Sequence, residues 1–196
     1  MPDKRLVLFV DAQNTYKNAR DAFFSPTDRH ICGQVNPIEV GKLVVSRTIP
    51  QSTLHQVRIY SGRPDSIRQP RTCAAHMKQC VAWGKLGVEV ITRNLLYVGT
   101  KPQEKGIDVA LAIDFVTMAV DNKYDIGVIF STDSDLRPPL EYVYKKYHNL
   151  IPVAVVSWKS SQFKKSLSID GANIWCHFLD IADYNSVADV TDYAIP

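Results

Sequence analysis

The chain has 196 residues, 45% of them hydrophobic and 22% charged, enough for the core of one globular domain and cramped for two. Its formal charge of +3 permits a nucleic-acid partner without requiring one. No apolar run approaches the roughly 20 residues of a membrane span. The opening MPDKRLVLFVDAQN has too short an apolar stretch for a signal segment and reads as a first strand.

Arg5 to Val10 is a continuous, branched apolar run, the pattern of a strand covered on both faces, and Asp11 ends it. Asn14 to Phe24 reads as a helix with Tyr16, Ala19, Ala22 and Phe23 in one stripe. A turn-rich loop spans 25–35. Asn36 and Pro37 then supply an N-cap and a proline at the first helical position, with Glu39 in the first turn of a helix running to about Arg47. Leu54 to Tyr60 is the second strand, and loop 61–71 carries Arg63, Arg68 and Arg71. A helix over 72–86 stops at Gly87, and Val88 to Arg93 forms the third strand, flanked by 94–98.

A polar loop from Gly99 to Glu104 leads to a helix beginning near Gly106, where Val109, Ala112, Ile113, Val116 and Ala119 recur at helical spacing. Ile126 to Phe130 is the fourth strand, Ser134 to Tyr147 a helix, and Ile151 to Val156 the fifth strand. Lys159 to Ser168 is predicted helical and Asn173 to Phe178 a short last strand, with weak signals after Asp180. A single domain is expected over 1–182, with 183–196 as a C-terminal tail.

The four cysteines, Cys32, Cys73, Cys80 and Cys176, are scattered in a chain large enough to fold without staples, so free thiols are expected. Cys73, His76 and Cys80 share one helical face, but no second ligand pair sits at a zinc-like spacing, and a plain apolar face is the better account.

Apolar strands alternating with helices imply βαβ units and a mainly parallel sheet with helices on both faces, with any site beyond the carboxyl ends of the strands. Asp11 follows the first strand, and Asp133 and Asp135 follow the fourth. Asp108 lies in the first turn of a helix reached from the carboxyl edge of the third strand, so it returns to the same rim. Asp125 belongs to the opposite edge and Asp121 to a helix end. Asp114 follows Asp108 by six residues, about 240° round the helix, which suits a buried hydrogen bond or a contact supporting a metal ligand.

Each acid alone could be a helix cap or a favourable first-turn charge. Together at one rim they form a hard, oxygen-rich set suited to Mg²⁺ or Mn²⁺ rather than zinc. Metal-assisted phosphodiester hydrolysis is the chemistry such a set supports. GxGxxG, a P-loop and a Ser-His-Asp set are absent. Arg63, Arg68, Lys101 and Lys105 are the cations expected near the acids, where they could hold substrate phosphates.

The ordered pieces VDAQN at 10–14, KGIDVALAID at 105–114 and VIFSTDSD at 128–135, followed by Pro138, resemble the NYN-domain family of PIN-like nucleases, in particular its LabA-like bacterial branch. The resemblance covers roughly residues 5 to 158. It implies a PIN-like three-layer α/β/α sandwich and metal-dependent ribonuclease activity through Asp11, Asp108, Asp133 and Asp135. Asn14 and Ser131 match polar positions beside the acids, where they would meet a ligand or a substrate phosphate. An RNA substrate and a possible homodimer are implied with it, while the free thiols and the absence of an export signal favour the cytoplasm. Thr132 stands where the family usually has glycine, and Asn173 replaces a usual acid. Two other functions fit the same acids: a non-catalytic RNA-binding or regulatory module, and a phosphohydrolase acting on DNA or nucleotides.

Overall fold

A computed structural model describes residues 3–48, 51–147 and 149–195. In chain order it contains β1 (Lys4–Asp11), α1 (Ala12–Phe23), α2 (Pro37–Ser46), β2 (Ser52–Arg63), α3 (Pro70–Lys85), β3 (Glu89–Asn94), β4 (Leu96–Val98), β5 (Lys101–Gln103) and α4 (Ile107–Val120). It continues with β6 (Ile126–Phe130), a 3₁₀ turn (Ser134–Leu136), α5 (Arg137–Tyr147), β7 (Val153–Trp158), β8 (Trp175–Leu179) and α6 (Ile181–Val187).

Six strands form one sheet in the order β3-β2-β1-β6-β7-β8, and every adjacent pair is parallel. The order reverses between β1 and β6, the place where a doubly wound sheet opens a crevice at its carboxyl edge. Side-chain alternation along β1 separates two cores. Leu6, Leu8 and Val10 face a layer that includes Ala19, Val40, Val44, Trp83 and Tyr184, whereas Val7 and Phe9 face Leu111, Phe115, Leu140 and Val143. The result is the expected α/β/α sandwich around a parallel sheet. Among the described residues, no helix is long and apolar enough to cross a membrane.

Several local expectations need correction. Residues 99–104 are not all loop, because β5 pairs antiparallel with β4 in a small hairpin that turns at Gly99, φ +61°. Lys159 to Ser168 is not helical. Its backbone groups are taken by the strand ends, with Lys159 N–H donating to the Leu179 carbonyl and Ser160 N–H to that of Phe163, and it bridges back on itself between Lys159 and Lys164. Phe163 and Leu167 are thereby sunk into the core without a helix.

On α4 the stripe of Val109, Ala112, Ile113, Val116 and Ala119 is mostly not the buried face. Ile107, Ala110, Leu111, Phe115 and Ala119 are buried, while Val109 and Ile113 stay more than half exposed. Both faces of α4 are apolar, so spacing alone could not choose between them. The larger Leu111 and Phe115 pack against β1, where the Phe115 ring meets Phe9 edge-on at 5.2 Å. The segment after Asp180 forms α6, started by a reciprocal capping box between Asp180 and Asp183. Beyond it, Ala188 bridges to Val35, and Asp192 reaches His30 at 3.0 Å.

Candidate metal centre

β1 delivers Asp11 to the crevice, where it also caps α1. Its Oδ1 accepts the Asn14 N–H at 3.1 Å and its Oδ2 accepts the Ser131 hydroxyl at 3.1 Å. Ser131 is the first residue past β6 and is buried; its oxygen also accepts the Asp133 N–H at 3.1 Å. Asp133 in turn accepts the Asp135 N–H at 3.0 Å and caps the 3₁₀ turn. Asn14 ties the same loop to α1, its side-chain oxygen accepting Thr132 N–H at 2.9 Å and the Asn18 amide at 2.7 Å. Capping and convergence are therefore not alternatives. The same carboxylates do both, using one oxygen for the backbone and leaving capacity on the other.

Asp108 enters from the first turn of α4, placed by Gly106 at φ +77°, a left-handed conformation that glycine adopts without a Cβ clash. One ligand atom from each of Asp11, Asp108 and Asp133 lies within 4.8 Å of the others. Among the described residues this is the group of His, Cys, Asp and Glu side chains that converges closely enough to hold an ion; Cys73, His76 and Cys80 do not.

The electrostatics match that crowding. Burial pushes the Asp11 carboxyl up to about 7, and the negative charges of Asp108 and Glu104 add to the shift, against the hydrogen bonds from Asn14 and Ser131. Asp108 is raised as well, by burial first and then by Asp133 and Asp135. An anionic site whose members resist ionisation is one that a cation would relieve.

The other predicted residues are placed as follows. Asp135 is exposed, outside the converging trio but near enough to raise Asp108. Ser131, expected to meet substrate, instead has its hydroxyl shared between the two acids at 1% exposure. Asp114 accepts hydrogen bonds from Arg58 and Tyr60, both at 2.8 Å, and lies outside the converging trio. Arg63 donates to Asn94, and Arg68 reaches the Gly99 carbonyl and lies over the Tyr97 ring at 4.8 Å, bracing the β4–β5 hairpin. Lys101, which opens β5, and Lys105, between β5 and α4, are exposed. Asp125, assigned to the opposite edge, pairs there with Arg5 at 3.0 Å.

Thr132 needs no positive φ; among the described non-glycine residues only Gln51 and Asn122 have one. Its hydroxyl accepts from Asn18 at 2.8 Å, so the β-branched residue is stitched in rather than strained.

Sequence reasoning missed Glu104. Half-buried, it accepts the Gly62 N–H at 3.0 Å and shares charge repulsion with Asp11 and Asp108. A Cβ on Gly62 would come within 2.5 Å of the Glu104 carboxylate, so glycine there admits it. The available signal was an acid four residues before Asp108, closing a loop that returns to the rim. Lys17 on α1, also unforeseen, lies close enough to Glu104 to offset part of its rise.

A family model of the NYN domain matches residues 5–169, most of the chain. The chain belongs to the NYN domain family. NYN domains are PIN-like nucleases, so the molecule carries a nuclease-type domain, and its acidic trio is compatible with that. A crystal structure of a protein of unknown function from Vibrio parahaemolyticus shares the fold, with a TM-score of 0.56 and 18% identity over 91% of this chain and 93% of that one. No curated protein matches the sequence.

Proposed function

We propose that this NYN domain is a ribonuclease of the LabA-like branch that works with Mg²⁺ or Mn²⁺. The observation that carries the proposal is the convergence of Asp11, Asp108 and Asp133 within 4.8 Å at the strand-order reversal of a nuclease fold. The donors are all carboxylate oxygens, which fit these hard ions, and the Asp11 carboxyl, raised to about 7 by burial first and then by Asp108 and Glu104, is one whose ionisation a bound cation would favour. Asp11, Asp108 and Asp133 would hold the ion, with Asp135 completing the acidic rim. When bound, the ion would acidify a water and offset the charge of the phosphodiester.

The chain itself supplies positioning. Ser131 and Asn14 lock the exit of β6 against α1, so the carboxylates of Asp11 and Asp133 keep their separation when charged. Lys101 and Lys105, with Arg63 and Arg68 on the same edge, would attract and orient phosphates. The matches at VDAQN, KGIDVALAID and VIFSTDSD support the branch and RNA as substrate. The four free cysteines fit a cytoplasmic setting.

The test gives purified protein labelled RNA and DNA of one sequence with Mn²⁺, Mg²⁺ or EDTA, with Asp133→Asn in parallel. Metal-dependent cutting of RNA by the wild type alone is the expected result. Equal cutting by the variant, or a preference for DNA, would overturn the proposal.

A further inference from the structure

The outer face of α4 has no part in the packing of the sheet. Val109, Ile113 and Val120 are 59%, 54% and 47% exposed, and the half-buried Val116 stands between them. At about 100° per residue these four fall within roughly 60° of one another, across the helix from Leu111 and Phe115, which pack inward. An unbroken line of branched aliphatic side chains in water marks a contact surface. Beside it runs a shallow groove lined by Ala112, Val116, Pro138 and Pro139, and Asp108 and Asp135 of the acidic rim line it as well.

The spacing of the stripe selects its occupant. Its intervals of four, three and four residues read the same from either end. Two copies of α4 laid antiparallel, with a two-fold axis level with the bond between residues 114 and 115, set Val109 against Val120 and Ile113 against Val116, twice over. This is the self-complementarity that an isologous interface requires, and alternating threes and fours are the spacing of a helix seam.

Charge agrees with the same arrangement. Residue 123 of one copy comes level with residue 106 of the other, so the exposed Lys123 arrives at the end of the groove where the second copy holds Asp108 and Asp135. Asp121 comes level with Asp108, but the two lie on opposite flanks of the seam, about 100° to either side of the stripe. The stripe, with Pro138, Pro139 and the 42% exposed Tyr142 of α5, makes a patch on the order of 500 Å² per copy. Pairing would then bury about 1,000 Å² in all, the lower limit for a specific interface, so the dimer is weak and concentration-dependent.

We propose that the chain pairs with a second copy of itself through the outer faces of antiparallel α4 helices, and that Lys123 of each copy joins the other's acidic rim to hold a substrate phosphate. The pairing stands on the stripe. The part given to Lys123 rests on the nuclease function, and the experiment separates the two.

Wild type, Ile113→Glu, Lys123→Ala and Val81→Glu are compared by sedimentation velocity in EDTA from about 1 to 200 μM, the range of a weak interface. Val81, on α3 and 57% exposed, controls for charge placed on an equally exposed aliphatic residue. Melting curves verify that each variant folds. Wild type, Lys123→Ala and Val81→Glu should dimerise with midpoints within threefold of one another, and Ile113→Glu should need at least tenfold more protein. Under oxidation, Val109→Cys with Val120→Cys should cross-link into dimers and Val109→Cys alone should not. With Mn²⁺, RNA cleavage per chain should rise through the wild-type midpoint and fall at least fivefold in Lys123→Ala. A monomer at every concentration, or dimers of Ile113→Glu as strong as wild type, would overturn the pairing and spare the nuclease. Cross-linking by Val109→Cys alone would overturn the antiparallel register. Dimers that cut no RNA would remove the nuclease and keep the pairing, and equal cleavage by Lys123→Ala would overturn the role of Lys123.

Discussion

Replacing Asp11 with asparagine tests the electrostatic account of the site most directly. Asp11 is 4% exposed and its carboxyl is raised from the ordinary 3.8 to about 7. Below pH 4 the folded and unfolded chains both carry the proton. Between about 4 and 7 only the folded chain keeps it, so each step up in pH favours unfolding; above 7 both are ionised and the loss is complete. The direction is opposite to that of a salt-bridged aspartate. At about 1.4 kcal/mol per tenfold change in proton affinity, the displacement amounts to about 4 kcal/mol in the metal-free protein. For a domain of this size that is roughly 10 °C in melting temperature.

Asparagine keeps its oxygen on the Asn14 N–H, reverses the second bond so that its amide donates to the Ser131 oxygen, and removes the titration. In EDTA, the Asp11→Asn variant should therefore outlast the wild type by a margin that widens from pH 4 to 7. Saturating Mn²⁺ should close the gap by stabilising the wild type alone. Thermal melts across that pH range, with and without Mn²⁺, make the measurement. Parallel pH profiles for the two proteins in EDTA would refute the reasoning, because Asp11 would then be ionised as readily folded as unfolded.

Asp114→Asn should cost about 1–3 kcal/mol by taking a charge partner from the nearly buried Arg58 guanidinium, while Mn²⁺ affinity measured by calorimetry stays within twofold. A large loss of Mn²⁺ affinity would move Asp114 into the support of the metal. Gly62→Ala should destabilise by about 1–3 kcal/mol, since the added Cβ meets the Glu104 carboxylate and Leu95 well inside contact distance. Unchanged chemical denaturation would show that the Leu95 and Glu104 side chains swing aside without cost and that the close fit at Gly62 does not hold Glu104 in place.

The acids were legible one strand at a time. Once β1 and β6 are recognised as parallel, Asp11 and Asp133 must leave the same edge, because strand polarity decides it without side-chain detail. Glu104 was not legible in this way. It sits on a loop whose path depends on the β4–β5 hairpin, and its approach depends on the missing side chain of Gly62 far along the chain. The helical expectation for 159–168 failed for a related reason: its backbone partners, Leu179 among them, are brought in by the sheet and not by neighbours in sequence.

Local chemistry alone determined the strands of the sheet, the caps at Asp11 and Asn36, and the set of acids eligible for one rim. Periodicity and capping act within a few residues, so the sequence carries them whole. Only the tertiary structure decided which apolar face of α4 is buried, that Ser131 serves the acids, and that Glu104 comes to their rim. Those outcomes depend on contacts between segments 50 to 150 residues apart, set by which packing buries more surface and leaves fewer polar groups unpaired.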